Sequence, residues 1–174
     1  DPDELSRIEF EQEHTAVIFK KPKSYTAEDQ FLFKVESFGI FLFDDKLVII
    51  TSAPWGLFDR KIFQKVSSII EVALKLLYSS IYHFVEHLKI MNQISDEIEG
   101  QINESMENKY LIHLFTLQKS LVYYLNAIHT NNVVIERIRH NARKLDLSED
   151  DTEFTDDLII ENNVIKANKT TLGA

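Results

Sequence analysis

The sequence predicts an α+β fold, in which an N-terminal β-sheet with covering helices is followed by a long antiparallel helical hairpin (a stalk) and a terminal helix. The first third of the 174 residues contains short runs of β-branched and aromatic residues. From about Arg60 onward, apolar residues recur every three or four positions, as on one face of a helix. We therefore expect two parts, residues 1–63 with the sheet and residues 64–174 with the helices.

Four segments of the first part are predicted as strands: residues 14–20, 30–35, 38–43 and 46–51. Asp44-Asp45 joins the last two and predicts a hairpin, and Pro54-Trp55-Gly56 ends the strand region. The segments carry apolar residues on both sides. At least one face of the sheet therefore needs a cover of helix.

The longest helical pattern covers residues 64–107. Such a helix would be about 65 Å long, more than the roughly 40 Å diameter of a compact globule of this chain length, so it must project. Gly100 leaves a break into two helices as the alternative. A second apolar stripe from Tyr110 to Ile138 follows after a short link, which predicts an antiparallel pair. Ser148 and Asp151 have the spacing of a capping box and predict the start of a third helix.

One short motif matches a catalytic pattern. His83-Phe84-Val85-Glu86-His87 has the His-x-x-Glu-His order of inverted zinc metallopeptidases. Such a site also needs a third ligand and a cleft. Because Phe84 and Leu88 place the motif within the apolar stripe of a long helix, we expect the two histidines to be either solvated or packed against a neighbouring helix, not zinc ligands. We do not expect an enzyme.

Charge narrows the class of ligand. The net charge of −9 argues against nucleic acid, whose phosphates require a positive surface, and favours cations. Acidic residues crowd the start of the third helix, and Glu28-Asp29 lies between two predicted strands. Hard cations such as Mg²⁺ take carboxylate oxygens as ligands. A solvated acidic face is the alternative. The absence of cysteine excludes disulfides and Cys-ligated zinc.

The sequence resembles the CorA family of magnesium and cobalt transporters over essentially its whole length. The resemblance rests on six segments in a fixed order and spacing: residues 1–9 (DPDELSRIE), 16–20 (AVIFK), 38–50, 94–99 (ISDEIE), 117–123 (LQKSLVY) and 158–162 (LIIEN). It implies the cytoplasmic domain of a homopentamer at the cell membrane. In that family the last helix continues into a membrane span, so the pore signature Gly-Met-Asn is expected beyond residue 174.

The resemblance also implies regulatory Mg²⁺ or Co²⁺ bound between neighbouring subunits. Glu161 matches the family's carboxylate on the last helix, and Asp157 lies one turn before it. Glu28 and Asp29 lie in the loop that aligns with the neighbour's ligand, and Glu86 is the nearest candidate for a further site on the long helix. We therefore expect a magnesium-sensing, oligomerising domain. Two alternatives stay open: a helical protein-interaction module with an acidic surface, and the same domain of a zinc-transporting relative.

Overall fold

Strands and long helices divide the chain as the pattern of apolar residues predicts. The computed structural model describes residues 4–53, 60–105 and 107–170, except for the side chains of Ala27 and residues 166–170. The strands are β1 (Arg7–Phe10), β2 (Thr15–Pro22), β3 (Val35–Leu42) and β4 (Leu47–Thr51). The long helices are α1 (Ile69–Ser105), α2 (Asn108–His140) and α3 (Glu149–Thr170), and short 3-10 helices cover Ala27–Asp29 and Lys61–Phe63.

The sheet is antiparallel throughout, in the order β1-β2-β3-β4. The hairpin predicted at Asp44-Asp45 is confirmed, with the Phe43 amide donating to the Lys46 carbonyl at 2.9 Å. Strand β1 was not predicted. The predicted strand at residues 30–35 is wrong, because Gln30 (φ 47°) and Phe31 (φ 67°) have left-handed backbone and make a turn, so that β3 begins only at Val35. Pro54-Trp55-Gly56 lies outside the described residues.

Helices α1 and α2 form the predicted antiparallel hairpin. The 37 residues of α1 run through Gly100 without interruption, so the alternative of two separate helices is wrong. The capping box of α3 is confirmed. The Asp151 amide donates to the Ser148 hydroxyl at 3.1 Å, and the Ser148 amide donates to the Asp151 carboxylate at 3.2 Å. No helix in the described ranges combines the length with the apolar character that crossing a membrane requires.

The core lies between one face of the sheet and the helices. Alternate residues of the strands, among them Val17, Phe19 and Ile40, are buried in a single cluster with side chains of α1 and α2. Each such side chain stabilises the fold by roughly 1.5–3 kcal/mol. Helix α3 adds Leu158 and Ile165 to the same cluster. The predicted helical cover of the sheet is thus confirmed, while the division at residues 63 and 64 stays a prediction.

Candidate metal site

The exposed face of α3 carries two of the predicted ligands. Asp157 and Glu161 are both exposed, whereas Leu158 and Asn162 beside them are buried. Residues four apart on a helix are neighbours, with Cβ atoms about 5–6 Å apart. Within the described ranges, neither carboxylate makes a salt bridge. Both carboxylates can therefore coordinate a cation from outside the chain.

Neighbouring acidic residues of α3 are engaged within the chain. The Asp151 carboxylate caps the helix at Ser148. The Asp156 carboxylate accepts a hydrogen bond from Arg139 Nε at 2.6 Å, which ties α3 to α2. These contacts separate the acidic cluster into residues that hold α3 in place and residues that face solvent.

Asp29 has a structural role that the sequence analysis missed. Its Oδ2 atom accepts hydrogen bonds from the Thr26 amide at 2.8 Å and the Thr26 hydroxyl at 2.9 Å, and its Oδ1 lies 3.6 Å from Lys34 Nζ. The hydrogen bonds from Thr26 hold the pKa of Asp29 below its usual range. The spacing Thr26-x-x-Asp29 is that of a capping box and could have revealed this role. Glu28 beside it is exposed.

Glu86 lies apart from these residues, on α1. Its Oε2 atom is 3.6 Å from a guanidinium nitrogen of Arg60, and the Arg60 Cζ atom lies 5.5 Å from the ring centre of Tyr82. The predicted ligands thus occupy α3, the first 3-10 helix and α1. In the part of the chain that the structure describes, no three His, Cys, Asp or Glu side chains come together as a metal site.

His83 and His87 belong to the packed face of α1, which is the helix-facing one of the two predicted alternatives. Their ring centres lie 4.4 Å apart, and His87 Nδ1 lies 2.7 Å from the Tyr124 hydroxyl. His83 Nδ1 is buried without a hydrogen-bond partner among the described residues. Burial lowers the pKa of both histidines to about 4, so both rings are neutral at pH 7.

Buried asparagines connect the elements that carry these residues. The Asn131 side chain accepts from the Lys20 amide at 2.9 Å and donates to the Lys20 carbonyl at 2.8 Å, which fixes α2 against β2. Asn162 of α3 donates to the Ile128 carbonyl of α2 at 3.0 Å. Polar residues within an otherwise apolar helical stripe were the only signal of these contacts in the sequence.

The family model described as CorA-like Mg²⁺ transporter protein matches residues 1–170. The chain belongs to this family. Transporters, rather than enzymes, make up the CorA-like family. A comparison with curated proteins gives no significant sequence match.

Solved structures share the fold of this CorA-like chain. The soluble domain of CorA from Methanocaldococcus jannaschii matches with a TM-score of 0.83 and 18% identity, over 99% of this chain and 70% of that one. The complete CorA magnesium transporter from the same organism matches with a TM-score of 0.76 and 18% identity, over 98% of this chain and 57% of that one. The ZntB cytoplasmic domain from Vibrio parahaemolyticus matches with a TM-score of 0.63 and 13% identity, over 97% of this chain and 75% of that one.

Proposed function

We propose that this chain is the cytoplasmic regulatory and oligomerising domain of a CorA-family transporter, and that it senses Mg²⁺ or Co²⁺ through carboxylates shared between neighbouring copies of a homopentamer. The observation that carries the proposal is the exposed Glu161 on α3, with Asp157 one turn away and no salt bridge to either among the described residues. Glu161 is the helix-side ligand.

The chemistry of these side chains suits a hard cation. Mg²⁺ usually keeps several waters and binds through one or two carboxylates. On the domain side Glu28 is the favoured partner, because it is exposed while Asp29 uses one oxygen to cap the 3-10 helix. Asp29 could contribute only its other oxygen. Glu86 ranks lower, since it already lies near Arg60.

Net charge supplies a reason for assembly to depend on the ion. Each chain carries −9, so copies brought together repel unless cations neutralise facing carboxylates. An ion that prefers the assembled state stabilises it by RT ln(1 + [L]/Kd), about 1.4 kcal/mol at roughly ten times its Kd. The effect on thermal stability should thus be modest and should saturate.

The test is the thermal unfolding midpoint in metal-free buffer, in magnesium chloride, and in sodium chloride of matched ionic strength. We expect magnesium to raise the midpoint beyond the salt control, and Glu161→Gln to remove that excess. Glu104→Gln changes an exposed carboxylate near the end of α1 and serves as the matched control. An equal magnesium response in wild type and Glu161→Gln, no larger than in sodium chloride, would refute the site.

A zinc-transporting relative is the second candidate, favoured by the match in fold to the ZntB cytoplasmic domain. Midpoint shifts measured with Mg²⁺, Co²⁺ and Zn²⁺ at equal free concentration separate the two. For a magnesium-sensing domain we expect Mg²⁺ and Co²⁺ to raise the midpoint, whereas for a zinc-transporting relative we expect Zn²⁺ to give the largest shift. Indifference to all three ions together with a tight protein partner would favour an interaction module.

A further inference from the structure

Helix α2 exposes a regular row of side chains on the face opposite the core. The row repeats at alternate spacings of three and four residues, and we name it the α2 seam. Its members are Ile112, Phe115, Lys119, Val122, Asn126, His129 and Val133. The exposed fractions are 63% for Ile112, 67% for Phe115 and 56% for Val122.

This spacing is that of a helix that packs against another helix. A heptad repeat places a seam every 3.5 residues toward a partner, and a polar Lys or Asn within it fixes the register. The opposite face of α2 is already occupied, because Tyr124, Ile128 and Ile135 are buried in the core. The α2 seam therefore has no helix of its own chain against it among the described residues.

Helix α3 exposes a second, different row, which we name the α3 seam. It consists of Glu153, Asp157, Ile160 and Val164. Ile160 is 60% exposed and Val164 is 49% exposed. This seam combines carboxylates at one end with apolar side chains at the other, so it differs from the α2 seam in the sign of its charge.

The two seams complement each other when the helices run antiparallel. Setting Lys119 opposite Asp157 brings the next apolar pair, Phe115 and Ile160, to within one residue of the same level, since Phe115 lies four residues from Lys119 and Ile160 lies three residues from Asp157. The offset is about 1.5 Å along the helix axis and is removed at the following pair, because Ile112 and Val164 each lie seven residues from the charged pair. Ile112 then lies opposite Val164. By contrast, a pair of α3 seams contains carboxylates but no cation, and a pair of α2 seams leaves Lys119 without an anion.

We propose that the α2 seam of one copy packs antiparallel against the α3 seam of a second copy, in the register Ile112–Val164, Phe115–Ile160 and Lys119–Asp157. The inference rests on the proposed assembly and specifies its contact. Two unlike surfaces on each chain give a head-to-tail contact, which closes into a ring when the rotation permits. Lys119 then neutralises Asp157 and leaves Glu161, one turn further, for the metal.

The chain contains no cysteine, so single substitutions can test this register by disulfide cross-linking. Ile112→Cys chains mixed with Val164→Cys chains should form cross-linked dimers, while either variant alone should not. Val133→Cys mixed with Val164→Cys is the matched off-register control and should cross-link several-fold less. Lys119→Glu in the Ile112→Cys background should reduce the yield, and Lys119→Arg should retain it. Circular dichroism confirms that each variant is folded.

Three results would overturn the register: dominant cross-linking of either variant with itself, equal yields in the on-register and off-register mixtures, and no cross-linking at all. The measurement is made in chelator and in magnesium chloride. An on-register cross-linking yield that is the same in chelator and in magnesium chloride would support the contact between the seams and contradict magnesium sensing. Magnesium stabilisation that depends on Glu161, without on-register cross-links, would refute the seam alone.

Discussion

The imidazole Nδ1 atom of His87 lies 2.7 Å from the phenol oxygen of Tyr124, and this contact joins α1 to α2 inside the core. Burial raises the pKa of Tyr124 well above its usual range, so the phenol keeps its proton and forms a hydrogen bond with the neutral imidazole, whose tautomer sets which of the two donates. Phe84 packs edge-on against the Tyr124 ring, with ring centres 5.1 Å apart. Two residues of the His-x-x-Glu-His segment, Phe84 and His87, thus serve packing between helices.

Tyr124→Phe should lower the free energy of unfolding by about 1–3 kcal/mol. The ring still fills its site, but His87 Nδ1 loses its hydrogen-bond partner in a buried position. Urea unfolding measures the change. Tyr123→Phe is the control, because Tyr123 is half-exposed and should have almost no effect. Equal midpoints for the two variants would show that the His87 contact contributes nothing.

Stability should fall as the pH is lowered from about 6.5 toward 4. The histidines His83 and His87 have folded-state pKa values of about 4, against 6.5 for an unburied histidine. The unfolded chain therefore binds protons first as the pH falls, and the free energy of unfolding decreases through this window. Above 6.5 the contribution is constant. Burial is the largest cause of both lowered pKa values. Lys21 and Arg60 further lower the pKa of His83 and Glu36 raises it. His83 further lowers the pKa of His87 and Glu86 raises it.

Urea midpoints measured at several pH values check this dependence. His83→Gln should flatten the slope between roughly pH 5 and 6.5, since one of the two buried sites no longer titrates. His129→Gln changes an exposed histidine and should keep the slope of the wild type. A wild-type slope unchanged by His83→Gln would assign the effect to other groups.

Leu117→Ala should cost more than Leu121→Ala. Both residues line a groove of about 160 Å³ between α1 and α2. Leu117 is 5% exposed, so its truncation leaves a cavity and should cost about 2–5 kcal/mol. Leu121 is only partly buried and the groove beside it is open, so about 1–2 kcal/mol is expected there. Denaturant unfolding that reversed this order would show that the groove face has been misassigned.

Gly100→Ala should stabilise the protein by about 0.5–1 kcal/mol, because it lies inside α1 and a Cβ atom there meets nothing within 4 Å. Gly39→Ala is the contrast, since its Cβ atom would lie 3.1 Å from the Phe41 ring. Thermal midpoints of the two variants should therefore move differently, with a gain only at Gly100. A loss at Gly100 would indicate that α1 bends there in solution.

Much of the fold follows from periodic patterns in the sequence. The helical period persists over α1 and α2, and Asp44-Asp45 between an aromatic-rich run and a β-branched run marks a hairpin. Strand β1 escaped prediction because its four residues become a strand through pairing with β2, which no local pattern shows. The segment at residues 30–35 alternates as a strand does, yet the left-handed Gln30 and Phe31 turn the chain.

Less of the candidate metal site than of the fold could be predicted from the sequence. The helix-side residue Glu161 was proposed by resemblance and Asp157 by its place one turn before it, and the exposure of both follows from the helical period of α3. The contact between His87 and Tyr124 joins residues 37 positions apart, which spacing alone cannot reveal. Two ligands that lie on different copies leave no spacing pattern within one sequence. That Glu28 and Glu161 coordinate the same ion is therefore a proposal.

The most direct test of magnesium sensing is isothermal titration of Mg²⁺ into the protein at fixed ionic strength. We predict saturable binding to the wild type and to Glu104→Gln, and at least about tenfold weaker binding to Glu161→Gln, equivalent to roughly 1.4 kcal/mol. A carboxylate that ligates the ion should contribute at least that much. Identical isotherms for wild type and Glu161→Gln would contradict the proposal that Glu161 is the helix-side ligand of a shared magnesium site.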